Sequence, residues 1–280
     1  MKFGISIFPT DASISPVELA TACEARGFES IWFPEHSHIP ASRRTPFPAG
    51  GDLPKQYYDV FEPFIALAAA AAVTQTLKLA TGVCLVVQRD PIQTAKDVAT
   101  LDRISDGRFL FGIGGGWNAE EMENHGTTYK TRFSLMRERV GAMKAIWTQT
   151  KAEYHGKLVN FDPIMTWPKP VQKPHPPILV GGGWPGAAKR AIEYGDGWMP
   201  INIPGRLIRR IPEFWDAAKA AGRDPSNLEL SIFGMGPDAD EIARFAAAGA
   251  SRVVFMLASD PAEKILPQLD KLAELARKSG

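Results

Sequence analysis

The chain has 280 residues, 45% hydrophobic and 22% charged, and its 32 basic side chains nearly balance 31 acidic ones for a formal net charge of +1. Such a composition builds a globular core and excludes a disordered chain, and the near-zero charge excludes a global field for nucleic acid or an anionic membrane, so an anionic ligand needs a local site. The two cysteines, Cys23 and Cys84, are too few for a disulfide framework and fit a reducing cytoplasm.

The length suits one eight-fold α/β barrel, a single domain over residues 1–280. Met1-Lys2 passes directly into a strand at 2–8 without the basic, apolar and cleavage segments of a signal peptide, so a cytoplasmic location is expected. A helix at 16–26 follows, then strand 30–34, helix 62–73, strand 77–86 and helix 91–104. The alternation continues with strand 108–114, helix 133–147, strand 177–181, helix 185–194 and strand 197–201. It closes with helix 206–221, strand 228–233, helix 239–248, strand 252–257 and helix 262–278. Eight strands alternating with helices call for a parallel sheet with crossover helices, closed into a (β/α)8 TIM barrel. The Ala-rich run 64–73 is too short to span a bilayer and reads as a small-residue helix lying close on the barrel. Ser15-Pro16-Val17-Glu18, Asp90-Pro91-Ile92-Gln93 and Asp260-Pro261-Ala262-Glu263 each place a capping acceptor before a proline at the first helical position. Pro267 lies inside the last helical pattern and predicts a kink or a break there.

Two insertions interrupt the alternation. Residues 35–59 follow the carboxyl end of the second strand, on the catalytic face of a barrel, and read as a lid. Residues 154–176 precede the fifth strand; their prolines, from Trp167-Pro168 to Pro176-Pro177, predict a stiff extended lead-in without catalytic duty.

Twice an apolar strand runs into three glycines and a tryptophan, at Phe109-Leu110-Phe111-Gly112-Ile113-Gly114-Gly115-Gly116-Trp117 and at Ile178-Leu179-Val180-Gly181-Gly182-Gly183-Trp184. Glycine at a strand end lets backbone approach a ligand that a Cβ would exclude, so the pair suggests one large, flat or phosphorylated ligand across the barrel mouth. The alternative is that the glycines only make turns or relieve crowding at the rim. The first run fails the dinucleotide fingerprint because Trp117 stands where its last glycine belongs, and the chain has no Gly-Lys-Ser/Thr phosphate loop. The second leads through Trp184-Pro185-Gly186 into a helix, whose free amides suit a phosphate.

Glu35-His36-Ser37-His38 stands where the second strand ends and the lid begins. His36 is the candidate proton donor or acceptor, with Glu35 able to orient it; a hydrogen-bonded rim histidine is the structural alternative. His-x-His has no helical spacing, and neither His125 nor His175 completes a metal signature, so no metal is expected. Arg43 and Arg44 in the lid, with Arg89, Lys130 and Arg132, could hold an anionic tail or form a solvated rim. Trp32, Phe33, Trp117 and Trp198 could sandwich a ring or fill the core.

The pattern resembles the bacterial luciferase-like (β/α)8 oxidoreductases, and within them the F420-dependent branch. The resemblance covers nearly the whole chain. Its carriers include Glu24-Ala25-Arg26-Gly27-Phe28, Leu79-Ala80-Thr81-Gly82-Val83, Ser105-Asp106-Gly107-Arg108-Phe109 and Pro168-Lys169-Pro170-Val171-Gln172. It implies a deazaflavin or flavin at the barrel mouth, with Thr81, Gly82 and Val83 behind the ring and a non-proline cis peptide at Gly82-Val83. It further implies His36 as the active-site histidine, Gly114 and Gly115 against the cofactor, and a phosphate held at Gly182, Gly183, Trp184, Gly186 and Ala187. Glu35, His38, Arg43, Arg44 and Trp117 fall to the substrate side and the lid. Trp117 replaces the catalytic glutamate of related deazaflavin dehydrogenases, which argues against a sugar-phosphate substrate.

The expectation is therefore an F420-dependent oxidoreductase moving hydride between the cofactor and a small organic molecule. The alternatives are an FMN-dependent monooxygenase using reduced flavin and oxygen in a dry pocket, and a non-catalytic flavin-binding protein. A reductase supplying reduced cofactor and a homodimer are the implied partners. A metal- or lysine-dependent barrel isomerase lacks an inward lysine or a metal set.

Overall fold

Uninterrupted apolar runs form strands covered on both faces, and Ser30–Phe33 and Phe109–Ile113 are buried at every position. The computed structural model describes residues 1–279. Its strands are β1 Lys2–Ser6, β2 Ser30–Phe33, β3 Lys78–Thr81, β4 Phe109–Ile113, β5 Ala152–His155, β6 Asn160–Ile164, β7 Ile178–Gly181, β8 Gly197–Met199, β9 Glu229–Met235 and β10 Arg252–Met256. Its helices are α1 Pro16–Ala25, α2 Gln56–Asp59, α3 Pro63–Ala72, α4 Pro91–Ile104, α5 Ala119–Asn124, α6 Arg132–Thr148, α7 Gly186–Tyr194, α8 Ile211–Ala220, α9 Ala239–Ala247 and α10 Ala262–Ser279. All strands except β5 and β6 close a parallel barrel in the order β1-β10-β9-β8-β7-β4-β3-β2. The eight expected strands are its staves.

Inward side chains from seven staves fill the lumen: Trp32, Ala80, Leu110, Leu179, Met199, Phe233 and Val254. Trp32 is fully buried and donates from Nε1 to Ser30 Oγ at 2.8 Å. The amino-terminal end is plugged by Arg252, 1% exposed, which pairs with Glu29 at 2.7 Å and also with Glu229. Trp32, Phe33 and Trp198 are thus core residues.

Local chemistry sets most boundaries as expected. Ser15 Oγ accepts from the Glu18 amide at 3.2 Å and Asp90 from the Gln93 amide at 2.8 Å, while Asp260 accepts from Lys264 Nζ at 3.0 Å. The helix α10 runs through Pro267 without a break. Pro267 and Glu263, whose carbonyl loses its donor, are both exposed, so water can take the freed carbonyl. The third strand stops at Thr81, earlier than expected, and its ladder resumes only as an isolated Cys84–Ile113 bridge beyond the cis Gly82–Val83 peptide. The second insertion is not simply an extended lead-in: β5 and β6 pair as an antiparallel hairpin before the prolines begin. Both cysteines are free and buried, and burial pushes both thiols well above their usual range. No helix among the described residues is long and apolar enough to cross a membrane.

Candidate active site

At the carboxyl ends of the staves lies a cavity of about 650 Å³, within the range of small-molecule and cofactor sites. Every stave contributes at, near or just beyond its carboxyl end: Ser6, His36, Gly82, Gly114, Gly181, Met199, Phe233 and Met256. The wall is mainly apolar, with Phe8, Tyr57, Trp117 and Phe133 among its rings.

The two glycine runs do different work. A Cβ on Gly114 would lie 2.5 Å from Val83 Cγ2, and one on Gly181 2.7 Å from Val83 Cγ1. A Cβ on Gly115 would meet Phe133 at 2.6 Å, and one on Gly116 would meet Met122 at 2.7 Å. These positions are small because protein side chains, above all Val83, occupy the space. At Gly183, by contrast, nothing lies within 4 Å of a Cβ, and Gly182 has φ +120°, a conformation other residues rarely adopt. This loop is the open one.

The loop feeds α7, and no backbone carbonyl among the described residues engages the amides of Gly183, Trp184 or Gly186. One turn on, Arg190 lines the same cavity, stacked over Phe133 at 3.7 Å, with its Nε buried and unpartnered. Arg132 lies over the same ring at 4.1 Å. Burial, opposed by Tyr194 and reinforced by Arg132, holds the Arg190 guanidinium below its usual value. A desolvated cation beside free amides at a helix start is a site that favours an anion.

His36 is held on the opposite side. Its Nδ1 lies 2.8 Å from Glu121 Oε2, with the imidazole side chain 7% and the carboxylate 1% exposed. In the tautomer that donates Nδ1–H to this oxygen, Nε2 is left free to accept or return a proton at the cavity. Rings brace the imidazole: Tyr57 at 5.3 Å and Trp117 at 5.9 Å, with Phe47 at 5.3 Å from Tyr57 and 5.9 Å from Trp117. Burial pushes the Tyr57 hydroxyl up, so it stays neutral near pH 7.

The neighbouring glutamate on α5 docks the lid. Glu120 Oε1 accepts from Ser42 Oγ at 3.0 Å and from the Arg44 amide at 2.5 Å, and Oε2 from the Thr45 amide at 3.0 Å. Although burial pushes it up, bonds from Thr45 and Ser42 hold the Glu120 carboxyl at about 2.

Of the residues singled out from sequence, His36, Glu35, Trp117, Gly82, Val83, Gly114, Gly115, Gly182, Gly183 and Gly186 line the cavity. Others lie elsewhere. Thr81 is buried and donates to the Gly112 carbonyl at 2.7 Å. The Ala187 amide bonds the Gly183 carbonyl at 3.0 Å, so it is not free for phosphate. Trp184 faces a neighbouring cleft and packs on Trp198 at 6.1 Å. His38, Arg43 and Arg44 do not reach the cavity wall: His38 bonds Ser37 and Asn124, and Arg44 pairs with Glu123 at 2.6 Å. Glu35 does not orient His36. It accepts from the Leu85 amide at 2.6 Å and from Arg89 Nε at 2.5 Å, which ties the end of β2 to the segment after β3. Glu121 and Arg190 are the residues sequence reasoning missed. An acidic pair in the first turn after Asn118, and a cation one turn into the helix after the glycine loop, were the available signals. Among the described residues no three metal-ligating side chains converge.

A family model described as luciferase-like monooxygenase matches residues 1–278. An uncharacterised protein of Mycobacterium tuberculosis is 38% identical over 98% of each chain. An F420-dependent hydroxymycolic acid dehydrogenase of the same species is 26% identical over 75% of this chain and 55% of its own length. An FMNH2-dependent dimethylsulfone monooxygenase of Pseudomonas putida is 29% identical over 81% and 59%. Among solved structures, an F420-dependent secondary alcohol dehydrogenase in complex with an F420–acetone adduct superposes with a TM-score of 0.80 at 20% identity, over 100% of this chain and 99% of that one.

Proposed function

The chain belongs to the luciferase-like monooxygenase family, whose barrel it has, and from that premise we propose that it is an F420-dependent oxidoreductase acting on a small, uncharged organic molecule. The observation that carries this reading is His36, pinned through Nδ1 by buried Glu121 on the wall of the mouth cavity. The cavity fits such a cofactor on its own features: an open glycine loop at Gly182–Gly183, free amides at the start of α7 and the unpartnered Nε of Arg190. Gly183, Trp184, Gly186 and Arg190 would hold the phosphate, and Val83 would back the ring. When bound, F420 supplies hydride donation or acceptance.

The chain's own part is to bind, orient and move a proton. Glu121 fixes the ring and tautomer of His36, so that Nε2 accepts the hydroxyl proton of an alcohol as its carbon loses hydride, and returns a proton in the reverse direction. Phe8, Tyr57, Trp117 and Phe233 exclude water and select an apolar substrate. A sugar phosphate finds no second anion site among them. The FMN reading has support in the apolar cavity and in the FMNH2-dependent relative.

Steady-state assays with F420, followed by the chromophore's absorbance across a panel of secondary alcohols and reducible carbonyls, test the proton role. His36→Ala is expected to lose about 10²–10⁴-fold in kcat with F420 affinity retained. Full turnover with an unchanged pH profile would remove His36 from the chemistry.

A further inference from the structure

Beside the mouth cavity opens a second cleft, of about 570 Å³, and the two share Gly183 and Ile201. Its walls carry Arg206, Arg209 and Arg210 beside apolar Trp184 and Ile203. Glu213 lines the cleft as well, so three cations face one carboxylate there on a chain whose net charge is only +1. Arg210 is half-exposed and pairs with Glu213 at 2.7 Å. The side chains of Arg206 and Arg209 have no acidic partner and no acceptor among the described residues. Two basic groups elsewhere on the rim are already engaged, Arg44 with Glu123 and Arg89 with Glu35.

We propose that this cleft binds a polyanionic chain attached to the cofactor phosphate, namely the carboxylate-bearing tail of F420; this rests on the F420 reading above. A phosphate held by the amides of Gly183 and Trp184 lies on the wall common to both cavities. On one side of that wall the apolar mouth accommodates a ring. On the other side, the direction left for a substituent leads past Trp184 and Ile203 to the guanidinium groups of Arg206 and Arg209. Carboxylates placed there meet unpaired fork-shaped donors. Individual exposed pairs contribute little, but several on one tethered chain act together because the ring and phosphate already hold it in place. FMN ends at its phosphate and leaves the cleft unused, so the arginines favour F420 over FMN without touching the ring.

The test is fluorescence titration of the full chain with F420, with the tail-free deazaflavin riboside and with FMN, for wild type and for Arg206→Glu/Arg209→Glu. The expected result is at least about a tenfold loss of F420 affinity in the variant, with riboside and FMN binding unchanged. In wild type, F420 affinity should also fall with added salt while riboside affinity holds. An unchanged F420 affinity in the variant, or an equal loss for F420 and riboside, overturns the cleft while leaving the F420 reading intact. Failure of wild type to bind either deazaflavin overturns both. Arg206→Gln/Arg209→Gln, which removes charge without adding repulsion, should give a smaller loss in the same direction.

Discussion

Glu121 presents one carboxylate oxygen to His36 and leaves the other buried without a partner, so its whole effect on the site passes through one imidazole. Glu121→Gln keeps the shape and can still accept from Nδ1, but it removes the charge that compensates a protonated ring. The expected outcome is a fall in kcat of about 10–100-fold with a displaced pH profile and unaltered F420 affinity, read by steady-state kinetics and fluorescence titration. Unchanged kcat and pH profile would show that the contact is structural only. His36 was legible in the sequence because a histidine at a strand end faces the catalytic side of any barrel. Glu121 was not, because it stands 85 residues away and the adjacent Glu35 was the nearer candidate. Glu35 instead compensates Arg89, a pairing that only tertiary packing creates.

The short helix α5 makes two attachments through adjacent side chains, since Glu120 holds the first insertion while Glu121 holds the His36 ring. The ordinary value of the Glu120 carboxyl is 4.5 and its folded value about 2, so the docked lid is favoured fully above about pH 4.5 and loses that support as pH falls toward 2. Limited proteolysis within residues 35–59 is therefore expected to accelerate on acidification through this window. Glu120→Ala should show the faster cleavage already at neutral pH, because it removes the acceptor that the Arg44 and Thr45 amides share. Cleavage that is insensitive to both changes would mean the lid is held by other contacts. Short elements such as α5 and the β5–β6 hairpin escaped the sequence because six residues carry too little periodicity, and the exposed pattern of β6 does not alternate.

At the scale of the molecule, the barrel was legible because its strands are short, mostly apolar runs that alternate with helices. The family was legible for a different reason. Its most specific motifs are structural: Arg108 donates to the carbonyls of Ala71 at 3.0 Å and Leu77 at 2.9 Å, and Gln172 bonds Asp102 at 2.7 Å and the Phe109 carbonyl at 2.8 Å. These contacts join strands and helices at the end of the barrel away from the mouth. Arg108→Met is expected to cost about 3 kcal/mol in denaturant unfolding, with kcat per folded molecule unchanged; a loss of kcat without a loss of stability would contradict this division. Residues that preserve the barrel reveal the family but not the cofactor, because the same frame accommodates either ring. The open loop at Gly183 and the cation at Arg190 say more about the ligand, and they depend on what surrounds them rather than on local sequence. The most direct measurement is a parallel titration of the purified protein with F420 and with FMN, read by ring fluorescence and absorbance. F420 binding well below the FMN dissociation constant is the predicted result, whereas tight FMN with weak F420 would contradict it and make the protein a flavin-dependent monooxygenase.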